Sequence, residues 1–374
     1  MTSYQVVWKG PVQRSSGLGI ASRAYVQALR RQGVDVVLGS SELPASRKGK
    51  GGKRRILIFH HVPTKINFAE ERKRFDRIIL NTVWETSRFP KRWVPYMNKF
   101  DAVCVPSHQN RKALRDSGVK RPIFIVPHGV DTARFKPDNR KMPLREAKGR
   151  FVFVSVFGFQ HRKNPEALLR AYWEEFSAAD PVLLLIKTNG YAAYENQTWI
   201  RAAIQRYKAK LGIRKATAPV IVLAGKLSPD RLKGIYTRGK AFVLPTRGEG
   251  VGLPFLESLA SGTPVIATGW GGQMDFLTGK NSFLVSYRLQ SPTVSMKNGH
   301  SISRQFRHLF AEQGQLWAEP NLGALKKQMR TAYKHPQLCR EKGRQGRLDM
   351  RKHSWSRAGI ALKKAVEQVM RSAN

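Results

Sequence analysis

The chain has 374 residues, 41% of them apolar, with 31 Gly, 20 Pro and a formal net charge of +42. At ~100–200 residues per domain that length predicts two domains, and so large an apolar share excludes a disordered chain despite the charge. Cys104 and Cys339 stand far apart with no metal-ligand spacing; this excludes a disulfide framework or zinc ribbon and makes a reducing compartment the expectation.

The first residues, MTSYQVVWKG, lack the basic-then-apolar pattern of a secretory signal, and the first element is a strand over 4–9. A Gly-containing turn leads into a helix over 20–32, which Gly33 stops before a second strand over 34–38. Residues 44–55 (PASRKGKGGKRR) read as a Gly/Lys-rich loop, and strands follow over 56–60, 77–80, 102–106 and 123–127. Residues 136–150 are polar, contain two prolines and have no periodicity, so a linker is expected over 138–150 after a first domain of 1–137. The alternation then restarts with strands over 151–156, 182–187, 220–224, 241–244 and 264–267. Between them lie helices over 165–176, 198–211, 229–238 and 254–261. Residues 286–316 read as an irregular basic insertion in a second domain of 151–355, and a last helix over 356–374 could pack back on the first domain. Strands separated by helices imply crossover connections and parallel sheets. The fold class is therefore α/β, with two doubly wound, Rossmann-like domains facing a cleft. The apolar runs are strand-sized, far below the ~20 residues of a membrane-spanning helix, and a cytoplasmic protein is expected.

The charge is spread rather than confined to a tail: residues 1–150 carry 32 basic and 11 acidic side chains, residues 151–374 carry 35 and 14, a net of +21 in each part. Three readings stand: a polyanion partner such as DNA, an anionic membrane surface, or solubility with steering of an anionic substrate.

Two stretches have the residue types for chemistry. In Ser16-Gly17-Leu18-Gly19 the glycines either serve a tight turn with positive φ or let backbone amides at a helix start approach a phosphate or sugar. In TRGEGVGLPFLESLASGTPVIA, residues 246–267, Glu249 lies in a Gly-flanked loop after a strand and Glu257 on the next helix. Gly250 and Gly252 allow close approach of amides, and Pro254 suits a first helical turn. The two carboxylates either bind vicinal hydroxyls of a sugar or complement a helix dipole.

The second stretch resembles the signature of glycosyltransferase family 4, retaining enzymes of the GT-B fold. Val126–Asp131 with Phe135-Lys136-Pro137, Ser155–Asn164 (SVFGFQHRKN) and Gly271-Gly272 resemble further family segments in family order. The resemblance implies that Glu257 binds nucleotide ribose hydroxyls and that Glu249 faces the donor sugar and its reacting carbon. It further implies that amides at Val251, Gly252 and Leu253 hold the sugar or diphosphate, and that Arg162 and Lys163 neutralise the leaving diphosphate. Gly17 and Gly19 would approach the same phosphates, and Lys226 would lie beside the base. The family's Gly-Arg pair is absent, since Phe159 follows Gly158; the cations stand adjacent as Arg162-Lys163, with Lys187 a further candidate. His60 and His61 close a strand and either orient a hydroxyl or are satisfied loop histidines.

The implied function is retaining, metal-independent transfer of a hexose from a nucleotide diphosphate sugar to an acceptor hydroxyl of a glycan, a lipid-linked sugar or a polysaccharide precursor. No cofactor is expected, and the scattered Asp35, Asp76, Asp101 and Asp131 form no D-x-D pair. Two alternatives remain at this point: glycosylation of modified DNA bases, or a non-catalytic polyanion-binding protein on the same scaffold. The partners expected are a nucleotide sugar, an unidentified acceptor and an anionic membrane surface, with no transmembrane segment and DNA as the lesser option.

Overall fold

Two short apolar strands with a helix between them, repeated, build each half of the computed structural model, which describes residues 3–39, 52–297, 301–303 and 305–372. The first series is β1 (Tyr4–Lys9), α1 (Gly17–Arg31), β2 (Asp35–Leu38), β3 (Arg54–His60), α2 (Phe68–Arg74), β4 (Arg77–Asn81), α3 (Val94–Met97), β5 (Ala102–Val105), α4 (His108–Asp116) and β6 (Ile123–Ile125). The second runs β7 (Phe151–Gly158), α5 (Pro165–Glu175), β8 (Val182–Asn189), α6 (Gln197–Lys210), β9 (Val220–Ala224), α7 (Pro229–Arg238), β10 (Ala241–Leu244), α8 (Leu253–Ala260), β11 (Val265–Thr268) and β12 (Ser282–Val285). It continues through β13 (Tyr287–Gln290), α9 (Pro292–Lys297), β14 (Trp317–Pro320), α10 (Leu322–Lys334) and α11 (Pro336–Met350), and α12 (Trp355–Arg371) follows.

The first sheet has the order β2-β1-β3-β4-β5-β6 and the second β12-β11-β10-β7-β8-β9, with every neighbouring pair parallel. Strand cores such as Val182–Ile186 are buried on both faces, as helices on both sides of a parallel sheet require. In each sheet the direction of winding reverses once, between β1 and β3 and between β7 and β10. Open parallel sheets bind ligands beyond the strand ends at such a reversal.

The chain divides into two compact units, residues 1–129 with 352–374, and residues 130–351. This corrects the expected boundaries: residues 138–150 are part of the second unit, not a linker. The reason is local packing, because Met142 is buried, its amide donates to Gly234 O at 2.9 Å, and Arg238 Nε donates to Met142 O at 2.8 Å. In the first unit α12 lays its buried stripe, Ala358, Leu362, Ala365, Val366 and Val369, on the sheet and α1. Gly359 meets the Ala28 backbone so closely that a Cβ there would lie 2.8 Å from the Ala28 carbonyl.

Residues 286–316, expected to be irregular, begin with β13, which pairs antiparallel with β14, Tyr287 opposite Pro320 and Gln290 opposite Trp317. The partner strand lies 27 residues further along, beyond the reach of a local pattern. Residues 44–51 of the expected Gly/Lys-rich loop lie outside the described residues, and Arg54 and Arg55 already belong to β3.

Candidate active site

The reversal between β7 and β10 brings together the loops that carry the predicted cations and carboxylate. After β7 the chain makes a 3-10 turn, His161–Lys163, and reaches Asn164 at φ +58°. Asn is among the few side chains that tolerate this left-handed conformation. Its Oδ1 accepts from the Ala167 amide at 3.2 Å and, with Pro165 next, starts α5. After β10, Thr246–Gly252 runs alongside: the Arg247 amide and Thr246 Oγ1 both donate to Arg162 O, at 2.8 and 3.1 Å. A third loop, after β11, pins the centre, because the Gly272 amide donates to Glu249 O at 2.8 Å.

In this frame Glu249 is buried, with Lys163 Nζ 2.5 Å from Oε1 and Arg162 Nη1 3.2 Å from Oε2. Arg162 Nη1 also donates to Gly248 O. Burial works to raise the Glu249 carboxyl, but the charges of Lys163 and Arg162 and their hydrogen bonds outweigh it and hold the carboxyl below its ordinary value. Two cations face one carboxylate here.

Val251, Gly252 and Leu253 lead into α8. Gly252 stands at the cap position with φ +85° and offers no side-chain acceptor, and a Cβ there would lie 2.5 Å from Phe255 Cδ2. Among the described residues no acceptor is paired with the amides of Val251, Gly252 and Leu253. These amides and the helix dipole add to the anion-attracting character of the site. Glu257 lies further along α8, half-buried, and accepts from Tyr236 Oη at 2.6 Å through Oε2. Burial pushes its carboxyl up to about 7, against the Tyr236 hydrogen bond and the Arg134 charge. Sequence reasoning missed Tyr236; nothing in the spacing of α7 distinguishes it from a core aromatic.

The other predicted residues fall elsewhere. Lys226 is exposed on the loop after β9. Lys187 is buried and turns back on its own strand, donating to Thr188 O at 2.7 Å; burial lowers its pKa. Gly17 and Gly19 lie in the first turn of α1, which starts three residues earlier than expected because Ser16 Oγ accepts from the Gly19 amide. Neither has positive φ, so the tight-turn reading is corrected. Gly19 is required for another reason: a Cβ would run into the Arg14 carbonyl.

His60 and His61 stand at the β1/β3 reversal of the first sheet. His60 is 2% exposed, with Nδ1 2.7 Å from Ser22 Oγ, which also accepts from Trp8 Nε1, and with the Trp8 and Tyr25 rings edge-on to it. Burial, then the neighbouring His128 and His61, lowers its pKa to about 3. This favours the satisfied-histidine reading, and a residue that sequence reasoning passed over closes the group: a Cβ on Gly10 would lie 2.7 Å from both Ser22 Oγ and Trp8 Nε1. His61 Nδ1 accepts from the Val62 amide at 2.8 Å, and burial, then Lys65 and Arg14, keep its pKa low.

Residues 5–134 match the family profile of glycosyltransferase family 4, and residues 148–292 that of glycosyl transferases group 1. Together they take in every loop described above. The chain belongs to glycosyltransferase family 4. An alpha-monoglucosyldiacylglycerol synthase of Streptococcus pneumoniae is 28% identical over 182 residues, 46% of this chain and 38% of that protein. The chain thus matches well under two thirds of the length of that curated relative. Among solved structures, a glycosyltransferase from Rickettsia africae superposes with TM-score 0.68 at 13% identity over the whole of both chains. Anabaena HepE in complex with UDP and glucose gives 0.65 at 10% identity, over 98% of this chain and 100% of that one. The structural likenesses show the two-sheet GT-B fold. No helix among the described residues is long and apolar enough to cross a membrane.

Proposed function

We propose that the chain transfers a hexose from a nucleotide diphosphate sugar to an acceptor hydroxyl, with retention and without a metal ion. The observation that carries this reading is the ionised Glu249 between Lys163 and Arg162, beside unpaired amides at the start of α8. Two cations next to those amides suit a diphosphate, and the second oxygen of Glu257 suits the ribose diol. The UDP and glucose in HepE, which shares the fold, agree with a donor of this class.

A carboxylate paired with two cations is a weak nucleophile and a weak base. Glu249 is therefore assigned to orient the sugar hydroxyls and to stabilise positive charge developing at the reacting carbon. The bond from that carbon to the diphosphate oxygen breaks while a bond to the acceptor oxygen forms on the same face. The acceptor proton passes to a departing phosphate oxygen, whose charge Arg162 and Lys163 balance. The net charge of +42, together with a lipid-glycosylating relative, favours an acceptor at an anionic membrane surface.

The test is transfer from a nucleotide diphosphate sugar, with the anomer of the product read by NMR. The expected results are retained configuration, turnover unchanged by a chelator, and kcat lower by about a hundredfold or more in Glu249→Ala. An inverted product or loss of activity on chelation overturns the proposal.

A further inference from the structure

The two carboxylates of the site have unlike partners. Glu249 stands between two cations. Glu257 is in no ion pair among the described residues and takes its hydrogen bond from a neutral phenol, Tyr236 Oη to Oε2 at 2.6 Å. A cation paired with a carboxylate competes with the hydroxyls that carboxylate is to bind, whereas a phenol fixes one oxygen and leaves the negative charge in place.

Tyr236 is itself firmly held. Its ring is fully buried on α7, edge-on to Phe135 at 5.7 Å and stacked on Phe242 at 6.0 Å. Its carbonyl accepts from Thr263 Oγ1 at 2.8 Å. Thr263 is tied in turn to α8, since its amide donates to Ser258 O at 3.0 Å and its carbonyl accepts from Ser258 Oγ at 2.9 Å. Tyr236 therefore meets α8 twice, at Glu257 directly and at Ser258 through Thr263. Burial, then the charge of Glu257, raises the phenol well above its ordinary value, so it remains a donor. Glu257 by contrast is a half-buried, flexible side chain whose carboxylate loses orientational freedom to this contact.

The charged groups on the elements packed against Glu257 are engaged elsewhere. From α11, Arg347 Nη1 donates to the carbonyls of Thr132, Phe135 and Ala260 at 3.0, 2.9 and 2.9 Å. On α7, Lys233 pairs with Asp230, Arg231 is exposed and Arg238 donates to Met142 O. β11 has no titratable residue, and Arg134, exposed before Phe135, adds its charge alone.

We propose that Tyr236 is a positioning residue for the donor: its hydroxyl fixes the Glu257 carboxylate in one orientation, so that the nucleotide diol meets a preformed acceptor. This deepens the donor reading above and rests on it. The hydroxyl also favours the ionised carboxylate, so without it a proton displaces the diol at higher pH.

The test compares the wild type with Tyr236→Phe, which keeps the ring between Phe135 and Phe242 and removes the hydroxyl. Carbon-13 NMR of labelled glutamate follows the carboxyl in the free protein, the Glu257 signal being the one absent in Glu257→Gln. Its midpoint should move up by about one pH unit or more in Tyr236→Phe. A nucleotide diphosphate sugar should bind that variant at least about threefold more weakly at pH 7.5, and the gap should shrink by about half or more at pH 8.5. An unmoved midpoint overturns the proposal, as does a moved midpoint with equal affinities. A loss of affinity by the same factor at both pH values, which mere damage to the fold would give, overturns it too. If Tyr236→Phe does not fold, labelled tyrosine in the wild type replaces it. One ring-carbon signal should then titrate with Glu257 and lie flat in Glu257→Gln, and the lack of any such signal overturns the proposal. A moved midpoint in a protein whose wild type binds no nucleotide sugar refutes the donor reading itself, so the two failures are told apart.

Discussion

Glu257 gives the proposed donor site a pH dependence whose size follows from the structure. Its carboxyl is raised from an ordinary 4.5 to about 7, by burial against the opposing effects of Tyr236 and Arg134. A ribose diol donates to the ionised form, so a proton and the nucleotide compete for the same oxygen. With a pKa of about 7, the protonated fraction rises from about a quarter at pH 7.5 to nearly all at pH 5.5, and affinity falls about 25-fold, or about 1.9 kcal/mol. The sign is that of a raised acid: binding is strong above the folded pKa and lost as pH drops through it. The assay is calorimetric titration with an intact nucleotide diphosphate sugar, because each of its phosphates is doubly substituted and has no acidic group that titrates in this range. Glu257→Gln removes the titrating group and should bind weakly with a flat profile. A flat wild-type profile, or the same slope in Glu257→Gln, refutes the assignment of this carboxylate to the diol.

Two further perturbations address the frame of the site. Lys163→Met leaves Glu249 short of one of its two cations, so the variant should lose about 3–5 kcal/mol of stability, as breaking a buried ion pair does. Denaturant unfolding checks this, and adding Glu249→Gln should recover part of the loss; a single variant as stable as the wild type would show that the pair is solvated. Gly252→Ala places a Cβ in left-handed backbone against Phe255 and should cost at least about 1–2 kcal/mol. It should also weaken nucleotide sugar binding measured by titration, and unchanged affinity would separate the start of α8 from the donor.

The strands were legible because a parallel sheet buried on both faces needs uninterrupted apolar runs, such as Val182–Ile186, and such runs stand out in any window. Glu249, Arg162 and Lys163 were legible through the family resemblance, and the reversal between β7 and β10 explains why loops about 85 residues apart meet. The domain boundary was not legible. Residues 138–150 are polar and hold prolines, as a linker would be, and only the seating of Met142 against Gly234 and Arg238 places them in the second unit. The pairing of β13 with β14 depends on a contact across the whole insertion. His60 stood at the strand end expected of a site residue, yet whether a histidine there meets a ligand or Ser22 depends on α1, whose start the apolar periodicity alone misplaced. Tyr236 carried no signal, because its role exists only once α7 faces α8.

The central claim is that the second unit binds a nucleotide diphosphate sugar through Glu257 and the Glu249 loop. Thermal unfolding with UDP-, GDP-, ADP- and dTDP-sugars at fixed salt, on the wild type and on Glu257→Ala, tests it most directly. One nucleotide class at about a hundred times its Kd should stabilise the wild type by about 2.7 kcal/mol and leave the variant nearly unmoved. No shift with any of the four, or an equal shift in both proteins, contradicts the claim.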